Sequence, residues 1–292
     1  MDIAVFLQTC LNATYASSYL ALVAVGLVLI FGVMRVVNFA HGELYMAGAY
    51  CLFWVFYQNE LPFFAGVAVA VLVVAAVGLF LERTMFRPMK DNPLGGLICS
   101  IGALLVLQAG AVSLFGVRKK SFAGPYNEAV TLFGVDALTI SGQRLVVIAF
   151  AVILLGALWA FLRKSRFGWA LRAVAQDPEA AALQGISISR ISMLAMVLGA
   201  ALAGAAGALT ATIVPTGPYM GHPVIIGAFI VIIVGGLGSL EGAIIASVLY
   251  AFTHTFVTTL FDGTIADITG LVLMLIVLVV RPHGLLGKPE RA

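Results

Sequence analysis

An imidazole and a carboxylate stand two residues apart at His41 and Glu43, inside the run Arg35-Val-Val-Asn-Phe-Ala-His-Gly-Glu43. Such a pair can ligate a metal, relay a proton or charge the end of a helix. Metal-assisted hydrolysis needs a second ligand histidine at helical spacing, which His-Gly-Glu lacks. A second run, Gly235-Gly-Leu-Gly-Ser-Leu-Glu-Gly242, sets four glycines beside an acidic residue where the first has one. Glu43 and Glu241 each stand near the start of the apolar helix that follows, where negative charge complements the helix dipole. Each run reads either as a capped cytoplasmic turn or as a discontinuous helix lining a transport path. Irregular backbone survives at membrane depth only where it is buried in protein or faces water. Paired interruptions in corresponding parts of a chain point to such a path. Both interrupted pairs run in the same direction, which suggests a weak parallel internal repeat.

A different chemistry is written between residues 163 and 190, the one long polar stretch that can form helix. Asp177 is a helix cap, Pro178 suits the first turn and Glu179 favours the dipole, while Gly185 is a helix stop. A second short helix is expected from about Phe167 to Ala175, with Arg166 and Arg172 outward and Trp169 as its apolar anchor. The island reads as a docking knob or as a hairpin lying on lipid. Its small alanines bury little area in lipid and suit a groove on another protein.

The elements that carry these groups follow from composition. Of 292 residues, 62% are hydrophobic and 10% charged, against about 25% charged in a soluble domain. The chain is therefore read as an all-α polytopic membrane protein, and a net charge of +3 gives no reason to expect a nucleic-acid partner. Spans of roughly 20 apolar residues fall near 15–34, 39–57, 62–81, 94–116, 144–162, 190–214, 241–261 and 265–281. A ninth apolar run, 223–234, is short, so eight to nine segments are expected, some interrupted. With the island inside and the short run crossing, twelve of the sixteen Lys and Arg residues lie inside and four outside (Arg118, Lys119, Lys120 and Arg144). The positive-inside rule then places the N-terminus outside and the C-terminus in the cytoplasm.

No linker divides the chain, which reads as one transmembrane domain over 1–292. The external loop of about 117–143 is too short to be a receptor domain, so a partner must capture any external ligand. Cys10, Cys51 and Cys99 lack metal-like spacing and read as packing residues. Gly199, Ala203 and Gly207 recur every four residues, with Ala200, Gly204 and Ala208 on the next face. Such stripes let helices approach closely, within the chain or at a subunit interface. His254 reads as a packing histidine or a proton relay. The spans show no Asp–Glu–His chain, and Glu43 and Glu241 are the only acidic candidates for ion coupling, which weighs against a secondary carrier.

Several segments together resemble the H-type permease of the branched-chain amino acid ABC importers. They are Asn38-Phe-Ala-His-Gly-Glu43, Glu82-Arg83 with Arg87-Pro88, Arg166-Phe-Gly-Trp-Ala-Leu-Arg-Ala173, Gly185-Ile186, Val234-Gly-Gly-Leu-Gly-Ser239 and Arg281-Pro-His-Gly-Leu-Leu-Gly287. Glu179-Ala-Ala with Gly185 also resembles the loop by which such permeases engage their ATPases, although the usual Ile and Leu-Pro further on are missing. The resemblance implies an ABC importer permease fold in a bacterial inner membrane, forming half of a pathway for branched-chain amino acids. Urea, amide and aromatic-acid importers have similar permeases. It implies a second homologous permease, two cytoplasmic ATPases and a periplasmic binding protein as partners. The chain has no phosphate-binding loop, so ATP would be bound and hydrolysed by partners, with no catalytic residue, cofactor or metal here. On this reading Asn38, His41, Gly42, Glu43, Gly235, Gly236, Gly238 and Glu241 border the pathway or its gate. Arg166, Gly168, Arg172, Asp177, Glu179, Ala180, Ala181 and Gly185 couple it to the ATPases.

Overall fold

The computed structural model describes residues 2–90, 92–131 and 138–287. The described residues form helices α1 (Ile3–Met34), α2 (His41–Leu52), α3 (Phe63–Leu81), α4 (Pro93–Phe115), α5 (Gly142–Lys164), α6 (Arg166–Gln176) and α7 (Pro178–Leu183). They continue with α8 (Ile188–Thr210), α9 (Gly221–Gly235), α10 (Leu240–Leu260) and α11 (Gly263–Val280). Seven of these are long and apolar enough to cross a membrane: α1, α3, α4, α5, α8, α10 and α11. The remaining expected segments are α2, which continues through a wider turn to Gln58, and α9, whose 15 residues make about 22 Å of helix. A two-strand ribbon, β1 (Ala129–Thr131) against β2 (Thr139–Ser141), was not expected from the sequence.

Helix α1 starts well before the expected residue 15. Gln8 and Asn12 interrupt the hydropathy but not the backbone. Thr9, Thr14 and Ser18 turn their hydroxyls back onto carbonyls one turn earlier at 2.7–2.8 Å. The early turns are tied down by contacts from the loop and α5. Gln8 exchanges two hydrogen bonds with Thr139, and the Arg144 guanidinium donates to Asn12 at 2.6 Å.

Helix α8 is the centre of the bundle, touching α1, α2 and α3. Its small residues make that possible. A Cβ on Gly199 would strike the Gly26 carbonyl of α1, and one on Gly207 would strike the Tyr45 carbonyl of α2. Gly48 lies against the Gly204 backbone, and a Cβ on Gly78 of α3 would lie 2.5 Å from the Ala200 Cβ. The small-residue stripe therefore packs the chain's own helices. Burial is graded accordingly: 72% of the apolar stretch of α1 and 67% of that of α8 are buried, against 17% for α5 and 11% for α11. The outer helices present their faces to lipid or to another subunit.

The second glycine run is a tight turn. Ser239 caps α10 by accepting from the Gly242 amide at 3.1 Å. Gly236 (φ +104°) makes the reversal, and residues 281–287 fold back beneath it. Leu285 and Leu286 donate their amides to the carbonyls of Val234 and Gly235 at 2.8 and 3.1 Å. These satisfy carbonyls that the end of α9 would otherwise leave orphaned.

Candidate functional site

The first glycine-containing run behaves differently. Arg35 ends α1 in a left-handed turn (φ +50°), and its amide bonds to Phe31. Residues 36–40 then double back along the bundle without helix. Ser100 on α4 satisfies this irregular stretch, accepting from the Phe39 amide at 3.3 Å and donating to the Val37 carbonyl at 3.2 Å. Asn38, fully buried, accepts from the Ala40 amide at 3.1 Å and so fixes the start of α2. His41, also fully buried, places Nε2 3.0 Å from the Val23 carbonyl of α1. Eleven residues of helix, about 16 Å, separate Val23 from Met34. Helix α2 therefore begins about halfway along α1's apolar stretch rather than at the end where α1 stops.

Helix α9 begins at the same place. A Cβ on Gly42 would lie 2.7 Å from the Gly221 carbonyl, and one on Gly221 would strike the Gly42 carbonyl. Two helix N-termini, each with a positive dipole end, thus meet inside the bundle. Glu43 lies between them, its side chain buried. The Gln108 amide on α4 donates to Glu43 Oε1 at 2.9 Å and lies 3.1 Å from His222 Nδ1. His222 Nδ1 is 3.9 Å from Glu43 Oε1, and its side chain is 53% exposed. Glu43 Oε2 is buried and has no hydrogen-bond partner among the described residues. A half-exposed histidine beside a buried carboxylate at this depth does not suit a lipid-facing wall, and polar groups within spans face a cavity or the bundle interior.

The expected site residues thus separate. Gly42 and Glu43 are at the meeting of α2 and α9, whereas Asn38 and His41 fasten that meeting point to α1 and to the chain itself. Gly235 packs against the Gly242 backbone. Gly236 and Gly238 make the turn, and Glu241 is exposed and does not cap α10. The two interruptions are therefore unlike: one starts a helix at mid-depth, the other reverses the chain at an end. Gln108 and His222 were missed in the sequence. Their signal was a polar residue inside, or one position before, an apolar run. Asp267 was missed too. It lies four residues into α11 and holds His254 at 3.0 Å, so Glu43 and Glu241 are not the only acidic groups within or beside the spans.

The polar island folds as α6 and α7. Ser165 caps α6, accepting from the Gly168 amide at 3.1 Å. Gly168 is buried and packs so closely on the Leu162 carbonyl that a Cβ would strike it, and Arg172 donates to that same carbonyl at 3.0 Å. Trp169 is not the anchor expected. It is 67% exposed, with the Arg172 guanidinium over its ring at 4.8 Å, and Leu171 and Val174 are buried instead. Arg166 is exposed. Asp177 accepts from the Ala180 amide at 2.9 Å, starting α7 as expected. Ala181 is buried, Glu179 and Ala180 are exposed, and Leu183 is 87% exposed. Gly185 ends the knob at φ +80°.

A bundle of long apolar helices around a small-residue core, with two helix starts meeting at mid-depth and a polar knob between α5 and α8, is the architecture of a multi-pass membrane protein. The solved structure of PsaBC from Streptococcus pneumoniae in complex with Fab superposes with a TM-score of 0.50 over 93% of this chain and 91% of that one, at 17% identity. The family model described as branched-chain amino acid transport system / permease component matches residues 9–280, and the chain belongs to that family. The high-affinity branched-chain amino acid transport system permease protein LivH of Escherichia coli (strain K12) is 31% identical, covering 98% of this chain and 96% of LivH. The corresponding protein LivM of Salmonella typhimurium is 25% identical over 94% of this chain and 69% of LivM.

Proposed function

We propose that this chain forms half of the translocation pathway of an ATP-driven importer of branched-chain amino acids or related small substrates. The observation that carries the reading is the half-exposed His222 joined through Gln108 to buried Glu43, where α2 and α9 begin at mid-depth. A transport path needs such polar wall inside an apolar bundle, and discontinuous helices supply it in other transporters. The other half of the path is a homologous permease. Similarity to both LivH and LivM supports that pairing, since one sequence is related to two permeases of like name. Two cytoplasmic ATPases bind and hydrolyse ATP. They engage α6 and α7 through Leu183, Glu179 and Ala180, and Gly185 lets that knob move as one lever. A periplasmic binding protein delivers substrate. The N-terminus faces outward and the island and C-terminus lie in the cytoplasm of a bacterial plasma membrane, as the distribution of Lys and Arg favours.

Two measurements test this. In a background with Cys10, Cys51 and Cys99 replaced by Ala, a His222→Cys chain assembled with its partners reacts with a membrane-impermeant thiol reagent. A thiol inert in every nucleotide state removes His222 from the pathway. Uptake of labelled leucine into proteoliposomes requires the ATPases and ATP. Uptake that persists without them, and collapses with the membrane potential, makes the chain a secondary carrier instead.

A further inference from the structure

A cleft of about 430 Å³ opens between α1, α9, α10 and α11, at the end of the bundle where Lys120 pairs with Thr216. Glu43, Gln108 and His222 do not line it, although Tyr45, Met220 and Pro223, which do, flank that centre. Its volume falls within the range of about 300–1,000 Å³ usual for small-ligand sites. Most of its wall is apolar, including Leu20, Val214 and Val224. Two opposite charges interrupt that wall. Lys119 stands on the loop and makes no ion pair among the described residues. Asp267 stands one turn inside α11, where His254 of α10 holds one carboxylate oxygen at 3.0 Å while the side chain stays 74% exposed. An acidic residue within an apolar span is costly and marks a functional position by default. Here one oxygen is fixed and the remainder is presented to the cleft.

We propose that this cleft is an outward-facing subsite for an α-amino acid in its zwitterionic form. Lys119 receives the carboxylate, Asp267 positioned by His254 receives the ammonium, and the apolar wall takes the aliphatic side chain. The assignment rests on the importer reading above and narrows its substrate class. A neutral amide or urea would leave both charges unmatched, and an aromatic or aliphatic acid would leave Asp267 unmatched. Each mismatch forfeits a charge-assisted hydrogen bond.

The test is equilibrium binding of labelled L-leucine to the complete importer in lipid nanodiscs, without its binding protein. Leucinamide and 4-methylpentanoate serve as competitors. Leucine binds, and both analogues compete at least about tenfold more weakly, as one lost charged contact requires. Lys119→Gln and Asp267→Asn each weaken leucine about tenfold, whereas Lys119→Arg and Asp267→Glu retain binding. In Asp267→Asn, whose amide still reaches His254, 4-methylpentanoate competes as well as leucine. A merely structural defect would weaken every ligand alike, and size-exclusion of the assembled variants checks for one. Unchanged leucine binding in both neutral variants overturns the assignment. So does a wild-type importer that binds no leucine without its binding protein, or prefers the amide or the acid. Those results leave the importer reading intact as long as ATP-driven leucine uptake persists with all partners present. Loss of that uptake in the wild type is what overturns the importer reading itself.

Discussion

The meeting of α2 and α9 leaves no room for a methyl group, and Gly42→Ala measures that directly. The new Cβ would sit 2.7 Å from the Gly221 carbonyl oxygen and 2.9 Å from the Ile225 Cβ, against 3.4 Å for ordinary contact. Neither neighbour is the tip of a flexible side chain. The two helix starts must therefore part by about 0.7 Å, the difference between those distances. Overpacking of this kind costs about 1–3 kcal/mol. The displacement also acts on the adjacent residue. A shift of that size along its 2.9 Å bond from Gln108 would stretch that bond past hydrogen-bond length. Gly42→Ala should thus lower the melting temperature of the purified complex by several degrees and cut leucine uptake more than the stability loss alone explains. Gly110→Ala on α4, with nothing within 4 Å of its Cβ, is the matched control and should behave as wild type. A Gly42→Ala importer with unchanged melting and unchanged uptake would refute the close approach on which the polar centre depends.

Three further outcomes follow from the same structure. Leu183→Asp, at an 87% exposed position on α7, should leave the chain inserted but prevent co-purification of the ATPases; full recovery of the ATPases would mean that α7 does not dock them. Gly185 holds φ +80° with open space around it, so Gly185→Ala meets backbone strain of about 1–2 kcal/mol and no clash. ATP hydrolysis without matching uptake is the expected result, with Gly185→Asn milder, and tight coupling in the Ala variant would dismiss the lever. Gly236→Val would bring a Cβ to 2.5 Å from the Gly287 amide nitrogen and 2.8 Å from the His283 carbonyl. It should open the fold-back of residues 281–287, detected as faster proteolysis after Arg281, and equal protease resistance would contradict the contact.

By itself the sequence settled what depends on local patterning and on runs of residue type. Long apolar stretches set by the thickness of a bilayer located the long spans, and Asp177, Pro178 and Gly185 bounded α7 because capping is local chemistry. The stripe from Gly199 to Gly207 marked a helix others could approach, and the combined motifs led to the permease family. Tertiary structure decided everything that depends on which helices touch. Glu43 and Gln108 are 65 residues apart and Gln108 and His222 are 114 apart, so no spacing within one helix could join them. Nor could composition distinguish two similar glycine runs. One is satisfied by Ser100 and begins a helix halfway through the bundle; the other is closed by Ser239 and the returning chain at Leu285. The difference lies in which partner supplies the hydrogen bonds that an apolar surrounding cannot, and that partner comes from elsewhere in the fold.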